Sequence, residues 1–379
     1  MSKCAKLLKL SEELLLSEGK KTSFIIVLTI LLFAFYLNSL PQALSYTQEE
    51  VNQALTTAHQ TIVNCYEATV AAEKAGANIT ELTITLNEAE KLYSKALLAK
   101  KKGDYDLTVQ LVNECLGKLD GFTEKANASR VNASERSYLN FIYNVVCSSV
   151  GAVVIICIAF IIWSLLKKKH LNGRLKVNPE NYKAIFIIVT FVSALLVASP
   201  ALSRVLVYPR TEFFTELWIL DSNHETENYP FNISSNQDYS IYLGVGNHLG
   251  YCAYYMVQVK FRNESQPAPT SFGPIEKRNP SSLQPLYNFT LFVADENVWE
   301  TPLTFSFHYY ENASRVKVNK IVLNGLSLSL SNQVVAWNPS RNGYYGFLFF
   351  ELWLYNSTVD SFDYHGRYVG LWLNMTVSS

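Results

Sequence analysis

Apolar and polar positions follow three different periods along the chain, and each period marks a different kind of element. Uncharged, strongly apolar runs occupy 22–48, 141–166 and 184–203. About 20 residues rising 1.5 Å each cross a 30 Å hydrocarbon layer, so the second and third runs predict transmembrane helices over 141–166 and 184–207. The first run follows a lysine-bearing leader over 1–21 and precedes small residues around Ala43 and Ser45. The stretch 22–40 is therefore read as a signal peptide or a retained signal anchor. The total is two to three transmembrane helices.

Between the first and second apolar runs the pattern is helical. Val51, Leu55, Ala58, Ile62, Cys65, Thr69 and Ala72 alternate steps of four and three, as do Leu82, Leu86, Ala89, Tyr93 and Ala96. Thr108, Val112, Cys115, Leu119 and Phe122 repeat the spacing. Such steps keep one apolar stripe on one side of each helix. Gly76 with Asn78, and Gly103 with Asp104, supply the breaks, so 47–139 predicts a bundle of three or four helices. The last helix is expected to run on into the span at 141, unless Gly117 or Gly121 interrupts it. The stretch 86–119 looks like a single tetratricopeptide-type hairpin, which does not make a repeat array.

After Pro209 the period drops to two. Candidate strands lie at 213–220, 239–246, 252–261, 287–293, 303–310, 315–323, 326–335, 346–355 and 368–377. Alternation such as Thr304-Phe305-Ser306-Phe307-His308-Tyr309 is that of a half-buried strand. The segment 209–379 thus predicts an all-β, immunoglobulin-like sandwich. Five prolines in 263–285 predict an irregular surface excursion. Trp353 and Trp372 sit inside apolar runs and are expected in the core.

Charge sets the orientation. The chain carries 32 basic and 32 acidic residues, and charged residues make up 17% of it against about 25% in ordinary soluble domains. That balance argues against a nucleic-acid partner. The connection 167–183 holds six basic residues and one acidic residue, which marks it as cytoplasmic and places both the bundle and the β domain outside the cell membrane. Nine N-x-S/T sequons, at Asn78, Asn127, Asn132, Asn232, Asn263, Asn288, Asn312, Asn356 and Asn374, all fall in those two outside segments. They are candidate glycosylation sites. Cys65 and Cys115, on two bundle seams, are read as an exported disulfide, the plainer reading being two buried small apolar side chains.

In the C-terminal half, the segments 214–220, 228–233, 241–248, 351–355 and 371–373 (FTELWIL, NYPFNI, IYLGVGNH, ELWLY, LWL) resemble the archaeal membrane-protein family carrying domain of unknown function 1616. The resemblance covers the last span and the β domain. It implies an extracytoplasmic β domain behind transmembrane helices and an archaeal cell-surface location, with no activity to transfer. The present chain departs from that pattern by placing two spans after a helical bundle.

Catalytic signatures are sparse. The sequence contains no G-x-S-x-G elbow, no phosphate-binding G-x-x-x-x-G-K-S/T and no C-x-x-C metal spacing. His308 with Glu311, and His365 with Asp360 and Asp363, are the acid–histidine groupings of the β domain, and strand-edge solvation explains both without chemistry. No catalytic, cofactor-binding or metal residue is assigned. The reading is a non-enzymatic, glycosylated envelope protein that sits in the lipid bilayer, engages another envelope protein or a glycan, and is a possible oligomer. The alternative is an accessory subunit of a protein export or N-glycosylation complex.

Overall fold

The computed structural model describes residues 46–171, 180–205 and 212–377. The leader 1–21, the first apolar run at 22–40, the centre of the basic loop and the junction at 206–211 lie outside the described residues. From Val51 onward the described helices and strands belong to one compact unit.

Among the described residues five helices precede the strands: α1 (Gln48–Lys74), α2 (Thr80–Lys101), α3 (Tyr105–Lys118), α4 (Phe122–Leu171) and α5 (Glu180–Val205). Thr47 opens α1 with a reciprocal capping box, its backbone N–H donating to Glu50 Oε2 at 2.8 Å while the Glu50 N–H donates to Thr47 Oγ1. Asp104 caps α3 by accepting from the Leu107 N–H at 3.1 Å. Every seam residue predicted above is buried, apart from the half-buried Tyr93. Gly121 breaks the path between α3 and α4 in the left-handed region, at φ 66°. Beyond it α4 runs unbroken for 50 residues, about 75 Å at 1.5 Å per residue.

The composition of the C-terminal half of α4 explains its exposure. Val146, Val150, Phe160 and Ile161 are all more than half exposed, an arrangement that water disfavours and lipid does not. Among the described residues α4 is the one helix long and apolar enough to cross a membrane, and the apolar stretch Ile187–Leu202 of α5 is shorter. The two helices pack together, and the small residues Ala152 and Ser193 are each only 3% exposed.

Ten strands follow: β1 (Phe214–Leu220), β2 (Asn232–Ser234), β3 (Asp238–His248), β4 (Ala253–Asn263), β5 (Tyr287–Val293), β6 (Asn297–Glu311), β7 (Arg315–Leu323), β8 (Leu326–Asn338), β9 (Gly343–Asn356) and β10 (Ser361–Thr376). They form a sandwich-like sheet in two layers. One layer runs β1-β3-β6-β7-β8, and the other runs β2-β10-β9-β4-β5. The short hairpin pairing Trp337 with Tyr344 and Asn338 with Gly343 joins them. All nine predicted strands are present and pair antiparallel with one another. The unpredicted β2, three residues long, is too short to show a period and pairs parallel to the end of β10.

The second layer is covered on both sides, which is why β9 reads as a nearly continuous apolar run rather than an alternating one. Leu348, Phe350 and Leu352 face the core between the layers, with Val257, Val259 and Leu371. The opposite face carries Tyr254, Phe292 and Tyr355, which pack against α1 and α2 residues such as Ile62, Tyr66 and Leu86. The expected irregular surface excursion is present over 264–285, and its inner side also covers the rest of that face. Lys260 and Glu351 pair at 2.8 Å with side chains 3% and 0% exposed, and both hold Ser281 of the proline-rich segment. Trp353 and Trp372 belong to this outer face and are half-buried, correcting the expectation that they are core residues. Trp372 stacks against Phe347 and lies under the Arg262 guanidinium at 4.9 Å. Next to them only glycine fits at position 370, where a Cβ would stand 2.5 Å from the Leu348 carbonyl and 2.6 Å from the Phe349 Cβ.

Candidate functional site

The site begins with a problem of sheet chemistry. β5 is an edge strand of its layer, and an uncovered edge presents unpaired N–H and C=O groups. Here α2 lies along it. Asn87 completes the edge with its side-chain amide, accepting from the Phe292 N–H at 2.7 Å and donating to the Phe292 carbonyl at 2.9 Å. One turn on, Glu90 is fully buried and accepts from the Tyr254 and Thr290 hydroxyls. Desolvation pushes its carboxyl up to about 7, outweighing the two hydrogen bonds that favour the charged form. Ser94 lies 3.5 Å from Thr290 on the same hydroxyl chain.

From α1, Glu73 accepts from the backbone N–H of Cys252 and, at 3.0 Å, from that of Asp295, the residues that flank the paired ends of β4 and β5. The Tyr66 hydroxyl donates to the Cys252 carbonyl at 3.1 Å. Five side chains of two helices thus satisfy backbone and hydroxyl groups of one hairpin in a dry interface. Leaving such groups without partners costs about 1–3 kcal/mol each, so bundle and sheet are held in one register.

Above the clamp lies a groove of about 890 Å³. Its helical wall is Ile84, Asn87, Glu88, Lys91 and Lys95, positions three and four apart on one face of α2. The opposite wall comes from the mouth of the sandwich, where β5 and β6 part company and core-side rings reach the surface. Tyr287, Phe289 and Trp299 stand there in a row, with centroid steps of 6.0 Å and 6.0 Å and interplanar angles of 31° and 37°. All three are half-buried. Thr290, Thr301, Thr304 and Asn324 add hydrogen-bonding groups to the lining. Glu88 is paired with Lys118 at 2.7 Å, which leaves Lys91 and Lys95 as the excess charge of the helical wall.

The histidine groupings come apart. Glu311 accepts from the Tyr344 hydroxyl at 2.7 Å, while His308 lies cross-strand from Lys320, and burial followed by that lysine lowers its pKa. Asp360 is bound to the Tyr355 hydroxyl and to His59, and Asp363 accepts from Asn356. His365 is left beside Arg367 at the β10 bulge, where burial and then the guanidinium hold its pKa near 4. Among the described residues no group of three His, Cys, Asp or Glu side chains is placed to hold a metal ion. The asparagine and glutamate of the clamp were not legible as site residues in the sequence. Their signal, polar residues on the buried side of an amphipathic helix, is visible only once the seam of α2 is fixed.

Of the sequon asparagines, Asn78, Asn127, Asn132, Asn232 and Asn312 are exposed. The other four are half-buried. The amide nitrogens of Asn263, Asn356 and Asn374 donate to the Val334 carbonyl, Asp363 and Asn232, and the Asn288 Oδ1 is buried without a hydrogen-bond partner. Cys65 and Cys115 share one buried cluster with Tyr66 and Phe292 and are thiols in this structure. Desolvation raises their pKa values to about 11 and about 12.

Residues 209–319 match a family described as a domain of unknown function (DUF1616). The match takes in β1 to β6 and most of β7, so the segments 351–355 and 371–373 and the helix α5 fall outside it. No curated protein matches the chain. Among solved structures it is similar to a β-glucosidase from Listeria innocua, crystallised in complex with glucose, at 7% identity and a TM-score of 0.20. That alignment covers 43% of this chain and 16% of the enzyme's, so the chain spans well under two thirds of its length.

Proposed function

We propose that the protein is a non-enzymatic, membrane-anchored component of the cell envelope that binds another envelope protein or a glycan through the groove between α2 and the sandwich mouth. One observation carries the reading: a groove of about 890 Å³ at the junction sits on an interface that buried polar side chains hold together, so its walls are preorganised for a ligand. The exposed apolar length of α4 supports a bilayer anchor, and the basic connection after it supports an orientation with bundle and β domain outside. The same reading takes the sandwich as immunoglobulin-like, counts two to three spans, and places the protein at an archaeal cell surface.

A photoreactive residue at position 84, which is 55% exposed on the groove wall, tests it in intact cells. The expected result is one reproducible adduct that Trp299→Ala removes. Labelling no stronger than at an exposed control site such as position 359 would end the binding reading.

Glycans in this proposal occupy the five exposed sequons, Asn78, Asn127, Asn132, Asn232 and Asn312, because a glycan at the others displaces a side-chain hydrogen bond or enters a packed face. Peptide mapping of the mature protein without reduction is expected to find sugar at those five and bare asparagine at Asn263, Asn288, Asn356 and Asn374. A glycan on Asn288, next to the clamp, would contradict it. The same map reads whether Cys65 and Cys115 are joined. We place a bridge there formed before the bundle closes, since the buried thiols are shielded from oxidants afterwards.

A further inference from the structure

We infer that the groove takes an acidic saccharide chain, one carrying carboxylate or sulfate groups; this rests on the binding role proposed above. The aromatic wall supplies the first half of the argument. The Tyr287 and Trp299 ring centroids each lie 6.0 Å from that of Phe289, tilted to it by 31° and 37°, so three adjoining rings line this wall. Ring faces carry negative potential and attract the slightly positive C–H faces of pyranose rings, so a row of three suits successive residues of a sugar chain better than one compact ligand. A folded protein partner would instead meet a concave wall broken by threonine and asparagine groups.

The helical wall supplies the second half. Lys91 and Lys95 lie one turn apart on the face opposite the rings, and the acidic residue between Asn87 and Lys91 on that face, Glu88, is already engaged by Lys118. Two ammonium groups across from an aromatic row suit anionic substituents projecting from the far edge of a stacked chain. The Thr301 hydroxyl, and the Thr304 hydroxyl 3.3 Å from Ser240 Oγ, lie along the sandwich side of the groove, where sugar hydroxyls need partners, while the Asn324 amide there is held by the Thr304 N–H and the Pro302 carbonyl. Recognition then divides by wall: rings bind the sugar plane, and lysines select the charge.

The test uses the full-length protein in lipid nanodiscs, titrated with hexasaccharides of polygalacturonate and of heparin and with neutral maltohexaose. At least one acidic chain is expected to bind, with affinity falling as salt rises and the neutral chain weaker by about tenfold or more. Lys91→Glu/Lys95→Glu, on the solvent side of α2, is expected to remove that preference while leaving the thermal melt unchanged. Trp299→Phe is expected to weaken binding several-fold without emptying the mouth of the sandwich. Equal affinity for neutral and acidic chains, or unchanged binding in the charge-reversed variant, overturns the assignment. If no hexasaccharide binds but the adduct at position 84 persists on a protein, the saccharide is wrong and the binding role stands. Loss of both removes the binding role as well.

Discussion

Lys260→Met is expected to lower the unfolding free energy by about 3–5 kcal/mol, because it leaves the Glu351 carboxylate buried without a counter-charge. The pair is unusually enclosed, with side chains 3% and 0% exposed. It also has a second task. Lys260 Nζ donates to the Ser281 carbonyl at 2.9 Å, and Glu351 Oε1 accepts from the Ser281 N–H at 2.7 Å. The ion pair therefore grips both backbone groups of one residue in the proline-rich segment and holds that segment on the outer face of β4 and β9. Adding Glu351→Gln to Lys260→Met removes the orphaned charge, and the new amide can accept from the Ser281 N–H and donate to its carbonyl. The double variant is expected to be more stable than Lys260→Met alone by about 2 kcal/mol. Urea titration of all four members of the cycle measures this coupling, and limited proteolysis between 264 and 285 reports the segment. Simple additivity of the two changes would show that the pair does not act as a unit.

Those two residues also show where sequence reading stops. The periods along the chain locate every helix seam and nine of ten strands, because apolar spacing records which side of an element is dry. They do not record what covers a face. Lys260 alternates correctly as an outward residue of β4, and Glu351 does so in β9, so each reads as a solvated charge until the segment 264–285 is folded over them. The run of aromatic residues from Phe347 to Tyr355 was the visible trace of that cover, since a strand bathed on one side does not need apolar residues at consecutive positions.

The clamp was hidden for a related reason. Asn87 and Glu90 follow Leu86 and Ala89 on α2 and sit beside the seam rather than on it, where a polar residue normally meets water. It is the sheet edge, 200 and 205 residues away along the chain, that makes them interior groups. Conversely, proximity in sequence suggested His365 with Asp360 and Asp363, but Asp360 is taken by Tyr355 and His59 and Asp363 by Asn356, while His365 lies at the β-bulge between Tyr364 and Arg367. The groove escaped notice because its rings come from strands that read as ordinary core. Only where β5 and β6 separate do core-side rings reach the surface and line the groove.

Glu90 makes the attachment of the bundle to the sheet sensitive to pH. Its carboxyl rises from an ordinary 4.5 to about 7 on folding, so between those values the folded protein binds more of a proton than the unfolded chain. Stability from this group is fully present below pH 4.5 and is lost as pH rises through about 7, by an amount on the order of 3 kcal/mol at 1.36 kcal/mol per unit. The groups that face it from the other elements do not titrate in that window: Tyr254 on β4, Tyr287 on β5, Tyr93 on α2 and Cys115 on α3 are all pushed upward, chiefly by burial. His365 acts in the opposite direction. Its folded pKa near 4 means that the unfolded chain binds the extra proton, so its contribution grows as pH rises from about 4 towards 6.5. The measurement is therefore a difference, the unfolding free energy of the native protein less that of Glu90→Gln from pH 4 to 8, in which the His365 contribution cancels. The native protein is expected to lose stability relative to the variant as pH rises, most steeply between about 5 and 6.5, midway between the unfolded and folded values, and to level off above about 7. A flat difference curve would place the charge of Glu90 in contact with water, and the clamp would then be a set of hydrogen bonds with no proton in it.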